Sequence, residues 1–401
     1  MNLTGIITEY NPLHNGHLYH IKESKKQTNC DGLICVMSGN FVQRGTPSLI
    51  DKWSRAETAL KNGIDLVIEL PAIYSLSSAE FFAFGAVSLL NNLGIVNNLC
   101  FGSESGDINL IKQIADILIK EPENFKLQLK SYLDKGLSYP VARSKALSSF
   151  FENNSSITDV LFSSNNILGI EYCKSLIKLN SDIKPYTIQR EGSAYNSINI
   201  EKKFCSATSI RKHLKEKDNS IDLLIEKVPI NSFNVIKNMY NKNSLTFEDS
   251  ILSFLKFKIF TYENKLENLP DVSEGLHNKI YKALNQSNTY EELISKIKSK
   301  RYTETRINRI LCQYFVGFDN YNTKLLRTLS CPYARVLGFN KRGREILKEL
   351  KSTSLIPIYI KLPKDLSNSL ELDILATKAY SLINKSVSPN SDYLISPITL
   401  F

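Results

Sequence analysis

The first hundred residues alternate short apolar runs with helical stretches, and that alternation leaves few folds open. Leu3–Thr8 (LTGIIT) is rich in β-branched residues and stops at the polar turn Glu9-Tyr10-Asn11-Pro12. Helical spacing begins near Asn15. Gly32–Met37, Asp65–Leu70 and Asn98–Phe101 repeat the apolar pattern, with helical stretches at Lys52–Asn62, Ser77–Leu90 and Ile108–Ile119 between and after them. Strands separated by helices of this length imply a parallel sheet with crossover helices, an α/β fold. Ligands of such sheets sit beyond the carboxyl ends of the strands. The turns after the first, second and fourth runs therefore belong to one rim. They carry Tyr10, Asn11, His14 and His17; Ser38, Gly39, Asn40, Gln43 and Arg44; and Gly102, Ser103 and Glu104.

The later chain changes character. Residues 122–150 and Asn166–Leu179 read as helices, Ile183–Gln189 as an edge strand, and Ser206–Leu214 as a helix with a hydroxyl-rich first turn. Helical segments follow at Val235–Tyr240, Phe247–Tyr262, Leu276–Leu284, Tyr290–Lys298 and Thr303–Tyr314, with one strand-like run at Leu355–Ile360. A length of 401 residues suits two or three domains. The expected division is 1–217, a catalytic α/β domain, and 218–401, a mostly helical region.

Charge follows that division. Residues 1–200 hold 18 basic and 19 acidic side chains, whereas residues 201–401 hold 32 and 21. A basic half beside a neutral one suggests a catalytic domain joined to a polyanion-binding region, or a lysine-rich solvated surface. With 42% apolar and 22% charged residues, disorder over most of the chain is excluded. The seven cysteines form no C-x-x-C pair and their number is odd, which fits a reducing, cytoplasmic compartment and disfavours a zinc ribbon. The longest charge-free stretch, Phe81–Ser103, is broken by Asn91, Asn92, Asn97 and Asn98, and no signal-peptide pattern opens the chain. No membrane association is expected.

Three of the five histidines, His14, His17 and His20, fall within seven residues just after the first strand. A metal site, core histidines and a phosphate site all compete for them. The metal reading lacks a nearby Cys to complete a zinc set, so no metal ligands are assigned. The phosphate reading draws on the free N–H groups and positive dipole end of a helix N-terminus, on Gly16 for close backbone approach, and on two imidazole donors. Ser206-Ala207-Thr208-Ser209-Ile210-Arg211 offers hydroxyls and a guanidinium at a second helix start. It is either an ordinary cap or a second phosphate contact.

His14-Asn15-Gly16-His17 resembles the HxGH signature of HIGH-motif nucleotidyltransferases and class I aminoacyl-tRNA synthetases. SATSIR resembles the late S-[ST]-x-[IL]-R motif of small adenylyltransferases. Taken together with GIITEYNPLHNGHLYHI at 5–21, MSGNFVQRGTPSLIDKWSRAE at 37–57, LPAIYSLSSAEFFAFGAV at 70–87, FGSE at 101–104 and NNILGIEY at 165–172, they resemble the tRNA(Met) cytidine acetate ligase family. The likeness is dense to about residue 215 and thinner through TETRINRILCQYFVG and PYARVLGFNKRGREIL.

The resemblance implies a Rossmann-like, parallel-sheet HIGH nucleotidyltransferase domain and a two-step reaction. Acetate attacks the α-phosphate of ATP, giving acetyl-adenylate and pyrophosphate. The acetyl group then passes to the wobble cytidine of elongator tRNA(Met), forming N4-acetylcytidine. Carried over, the ATP positions are Ile7, Thr8, Glu9, Tyr10, Asn11, Pro12, Leu13, His14, Asn15, Gly16, His17, Leu18, Tyr19 and His20, with Gly102, Asn165 or its neighbour Asn166, and Arg190. Ser206, Ser209 and Arg211 join them for the β- and γ-phosphates. His14 and His17 are the expected catalytic pair at the α-phosphate. Arg44 is the expected holder of the acetate carboxylate, unless it forms a structural salt bridge. ATP is a substrate, Mg2+ is expected with it, and no other cofactor or obligate protein partner is inferred.

Two basic clusters are the expected tRNA contacts. One holds Lys296, Lys298, Lys300, Arg301, Arg306 and Arg309 with Tyr302 among them, and the other Arg335, Lys341, Arg342 and Arg344. Dense cations with an interleaved aromatic suit phosphate contacts and base stacking. Two other functions share the motifs: an adenylyltransferase for a phosphorylated metabolite, which needs no RNA, and an ATP-sensing RNA-binding protein, which releases no pyrophosphate.

Overall fold

A computed structural model describes residues 1–401 except 138, 152–159, 191–204, 217–218 and 263–264. Its centre is a sheet in the order β10-β8-β5-β2-β1-β6-β7, with β9 beside β8. The strands are β1 (Leu3–Thr8), β2 (Gly32–Ser38), β5 (Leu66–Leu70), β6 (Asn98–Ser103), β7 (Lys184–Gln189), β8 (Ala334–Asn340), β9 (Ile358–Tyr359) and β10 (Ile398–Leu400). A hairpin of β3 (Phe41–Val42) and β4 (Thr46–Pro47) stands apart. From β5 to β7 all pairings are parallel, with Ile6 opposite Cys35 and Thr4 opposite Asn98. Helices α1 (Asn15–Thr28), α2 (Lys52–Lys61), α3 (Ala79–Asn92), α4 (Ile108–Lys120), α5 (Ser164–Lys178) and α6 (Ala207–Lys215) accompany this sheet. The strand order turns at β1, which has β2 on one side and β6 on the other. A crevice opens there, as in other open α/β sheets.

The four early runs form strands where expected. Gly102 and Ser103, read as a turn, prolong β6 instead. The C-terminal half is helical through α7 (Leu252–Thr261), α8 (Leu276–Gln286), α9 (Tyr290–Ile297) and α10 (Glu304–Val316). It then returns to the sheet. β8 runs antiparallel to β5, and α11 (Lys341–Thr353) and α12 (Asn368–Ile383) follow it. Of the strand expected at Leu355–Ile360, only Ile358–Tyr359 pairs.

Buried charge fastens this return. Lys52, on α2, is fully buried, and its Nζ lies 2.8 Å from both Glu69 Oε1 and Asp392 Oδ1. Arg335, on β8, pairs with the same two carboxylates, hydrogen-bonding Asp392 at 2.8 Å and lying 3.3 Å from Glu69. Asp373 on α12 accepts the Ala72 amide at 2.6 Å and the Tyr333 hydroxyl at 2.8 Å. Burial and the nearby Glu69 charge push that carboxyl up to about 7.

Candidate active site

A cavity of about 810 Å3 opens over the carboxyl ends of β1, β6 and β7 and is roofed by α6, α9 and α10. Its floor is set by a buried cation. Arg55 donates to the carbonyls of Glu9 (2.6 Å), Ser38 (3.0 Å) and Gly39, which fixes the turns leaving β1 and β2.

His14 caps α1. Its Nδ1 accepts the Gly16 amide at 3.1 Å, and His17 Nδ1 accepts the His14 amide at 3.3 Å, a reciprocal capping box. The rings stack with centroids 3.7 Å apart, and Tyr10 meets His17 edge-on. Because each Nδ1 accepts a backbone N–H, the neutral ring carries its proton on Nε2. Both rings stay neutral. Burial, reinforced by the Arg190 charge, holds His14 at about 3 and His20 at about 4; burial, then His14, Arg190 and His20, keeps His17 well below its ordinary range. The site thus presents two Nε2–H donors at a helix N-terminus without adding fixed positive charge.

The same depression has a stability consequence. The folded state binds fewer protons than the unfolded chain below about pH 6.5, so stability is complete above that pH and is lost as pH falls toward about 3. His14 alone should cost roughly 1 kcal/mol at pH 5.5. The urea midpoint should be lower at pH 5.5 than at 7.5, and equal midpoints would contradict the buried neutral imidazoles.

The cavity gathers most of the expected ATP positions: Ile7, Thr8, Glu9, Tyr10, Asn11, His14, Gly16, His17, Tyr19, His20, Gly102, Asn165, Arg190, Ser206 and Arg211, together with Arg44. Asn165, not Asn166, faces it. Asn165 Nδ2 donates to Glu104 at 2.7 Å, whereas Asn166 is buried and accepts the Ser105 amide. Five positions point elsewhere. Pro12, Leu13, Asn15, Leu18 and Ser209 do not line the cavity. Leu13 is in the core, Asn15 donates to the Glu226 carbonyl, and the Ser209 hydroxyl returns to the Ser206 carbonyl at 2.8 Å. Thr208 takes the outward place and lies 3.4 Å from Arg44 Nη1.

Sequence reasoning reached Arg211 but missed the rest of the far wall. Thr208, Arg211, Lys212 and Lys215 form one stripe of α6, at the spacing of a helical face. Arg211 bonds Asn11 and Glu248, each at 3.1 Å. Lys215 meets Glu248, Asp249 and Glu291 at 3.3, 2.7 and 3.0 Å. Burial opposes ionisation of Glu248, but Arg211 and Lys215 keep its carboxyl below the usual range. Glu9 behaves oppositely. Burial raises it, although its Oε1 accepts the Gln43 amide at 2.7 Å and Arg44, Arg55 and Arg211 lie near.

The basic clusters separate, and Arg335 drops out of the second, because it is buried against Glu69 and Asp392. Lys298 lines the cavity mouth and pairs with Glu304, Lys300 is exposed, and exposed Arg301 pairs with Glu274. Arg306 is half-buried, its guanidinium on the Asp271 carbonyl. Arg309 corrects the sequence reading: it is buried, 3.7 Å from Asp271, and reaches the Gln43 carbonyl, so it fastens α10 to the β3–β4 turn instead of facing solvent. Lys341, Arg342 and Arg344 sit at the opposite end of the sheet. β8 runs antiparallel to β5, and Arg342 Nε donates to the Asp31 carbonyl, just before β2.

The family model described as HIGH Nucleotidyl Transferase matches residues 1–393. A tRNA(Met) cytidine acetate ligase of Clostridium novyi (strain NT) is 63% identical over 400 residues, covering 100% of both chains. One of Clostridium kluyveri (strain NBRC 12016) is 55% identical, covering 100% of this chain and 99% of its own. The crystal structure of Thermotoga maritima TmcAL bound with alpha-thio ATP matches over 100% of both chains, with 35% identity and a TM-score of 0.87. Its apo form matches with 34% identity and a TM-score of 0.90. With the family model matched over residues 1–393 and these relatives matched over the whole length, the chain belongs to the tRNA(Met) cytidine acetate ligase family of HIGH nucleotidyl transferases.

Proposed function

We propose that the protein is an ATP-dependent ligase that activates acetate as acetyl-adenylate and acetylates N4 of the wobble cytidine of elongator tRNA(Met). The observation that carries this reading is the pair of neutral Nε2–H imidazoles at the N-terminus of α1. In the first step an acetate oxygen bonds to the α-phosphorus and the bond to the pyrophosphate oxygen breaks. Negative charge grows on the α-phosphate oxygens. His14, His17 and the dipole end of α1 are preorganised to meet it. Arg211 and the start of α6 suit the leaving pyrophosphate, Arg190 beside Gly102 suits the nucleotide, and Arg44 suits the acetate. Mg2+ arrives with ATP as part of the substrate. In the second step the N4 lone pair attacks the acetyl carbon, AMP leaves with the C–O bond pair, and the N4 proton is released. An unpaired anticodon base reaches the cavity at little unstacking cost.

Purified protein with ATP, 13C-acetate and an unmodified elongator tRNA(Met) transcript is expected to give labelled N4-acetylcytidine by nucleoside mass spectrometry. Label-free cytidine after full incubation would refute the reading. The exposed cations at the mouth support the RNA role. Replacing Lys298, Lys300 and Arg301 by glutamine should weaken tRNA binding and make the log K against log salt slope shallower by about two. The same change at Lys341, Arg342 and Arg344 should alter binding less, since that cluster lies across the sheet. A salt series of tRNA affinities for both variants decides this. A cytoplasmic setting agrees with seven free thiols, and among the described residues no helix is long and apolar enough to cross a membrane.

A further inference from the structure

The cavity runs on past the residues that suit ATP. Beyond Arg211 it continues between the β3–β4 turn and helices α9 and α10, where Phe247, Tyr290, Ser295 and Asn308 line it. We propose that this far end seats the pyrimidine that accepts the acyl group, with the Asn308 side-chain amide donating to its N3. The inference rests on the ligase reading above.

Asn308 is built for a ligand. It is 8% exposed. The buried Tyr290 hydroxyl donates to its Oδ1 at 3.0 Å, which fixes the amide so that Nδ2 is the atom left for another group. Nδ2 has no partner among the described residues, and Asn308 lines the cavity. Nδ2 is thus open to the cavity, where a ligand acceptor can take the place of water, rather than sealed in the core. Burial holds the Tyr290 phenol far above its ordinary value, so the orienting proton stays in place at all working pH.

Position points the same way. Gly45 adopts φ +78° and its Cα presses on the backbone of Asn308 and Arg309, leaving no room for a Cβ. The Cys312 thiol lies 3.0 Å from the Gly45 carbonyl. The β3–β4 turn is thus pinned to α10 at Asn308, while its Gln43 amide is pinned to Glu9 at the end of β1. Arg44, between those two pins, is the candidate acetate holder. One rigid turn therefore sets the acyl end of the adenylate beside Asn308.

The chemistry selects a base. N3 of cytosine is an acceptor, whereas N3 of uracil carries a proton. A fixed N–H donor pairs with the first and opposes the second. Lys298 at the mouth is placed for a flanking phosphate.

The test compares two rates in one preparation: acetate-dependent pyrophosphate exchange, and acetyl transfer to a full tRNA transcript. Asn308→Asp keeps the acceptor for Tyr290 but replaces the donor by an oxygen. Its transfer-to-exchange ratio should fall by about 100-fold, the upper scale for leaving a buried acceptor facing another acceptor without a donor. Tyr290→Phe removes only the orienting hydroxyl and should lower the ratio by roughly tenfold. An unchanged ratio in Asn308→Asp overturns the proposal. If Asn308→Asp does not fold, as judged by its melting curve, an unchanged ratio in Tyr290→Phe overturns it instead. Absent exchange in the unaltered protein would refute the ligase reading and the subsite with it, whereas normal exchange with an unchanged ratio in the variants refutes the subsite alone.

Discussion

Replacing His17 by alanine is expected to reduce acetate-dependent pyrophosphate exchange by about 10²–10³-fold, the loss found when one preorganised donor to a developing oxyanion is removed. Affinity for tRNA should remain, because Lys298, Lys300 and Arg301 lie on the helical half and not on α1. Two effects of the substitution must be told apart. His17 Nδ1 also accepts the His14 amide, so the change strips half of a capping box. That costs about 0.5–2 kcal/mol of stability. His17→Asn separates them, since its side-chain oxygen can still accept an amide while the Nε2–H donor is gone. It should melt close to the unaltered protein and still lose exchange. Exchange at the normal rate in His17→Asn would remove His17 from the chemistry.

The second large effect lies far from the cavity. Lys52→Met should destabilise the fold by about 3–5 kcal/mol, because it leaves Glu69 and Asp392 buried with only Arg335 to neutralise both. The strain falls on the contact between α2, β5 and the returning C-terminal strands. Urea unfolding should show a lower midpoint, and the loss should shrink when Glu69→Gln is added, since one of the stranded charges is then removed. A midpoint unchanged by Lys52→Met would mean that the network contributes nothing net.

The early strands were legible because their pattern is local. LTGIIT, GLICVM and DLVIEL are apolar on both faces, as strands inside a parallel sheet must be. The histidine site was legible for the same reason: turn, cap and helix start lie within one short segment. β8 was hidden. ARVLGFN carries Arg335, which counts with the basic cluster until Glu69 and Asp392, distant in sequence, supply its countercharge. Arg309 shows the same error, because a cation in a basic run looks solvent-facing until Asp271 is placed beside it. Ser209 against Thr208 was a matter of helical phase. The stripe of residues 208, 211, 212 and 215 held the signal, and counting hydroxyls did not reveal it. Tyr290 and Asn308 gave no local sign, because their role comes from helices that meet the catalytic half only in three dimensions.

The central claim is that the imidazole pair serves acyl-adenylate formation, and exchange of labelled pyrophosphate into ATP measures that step directly. The account predicts exchange that requires acetate, proceeds in the purified protein without any metabolite acceptor, and collapses in His17→Asn. Exchange that ignores acetate but follows an added phosphorylated metabolite would contradict it.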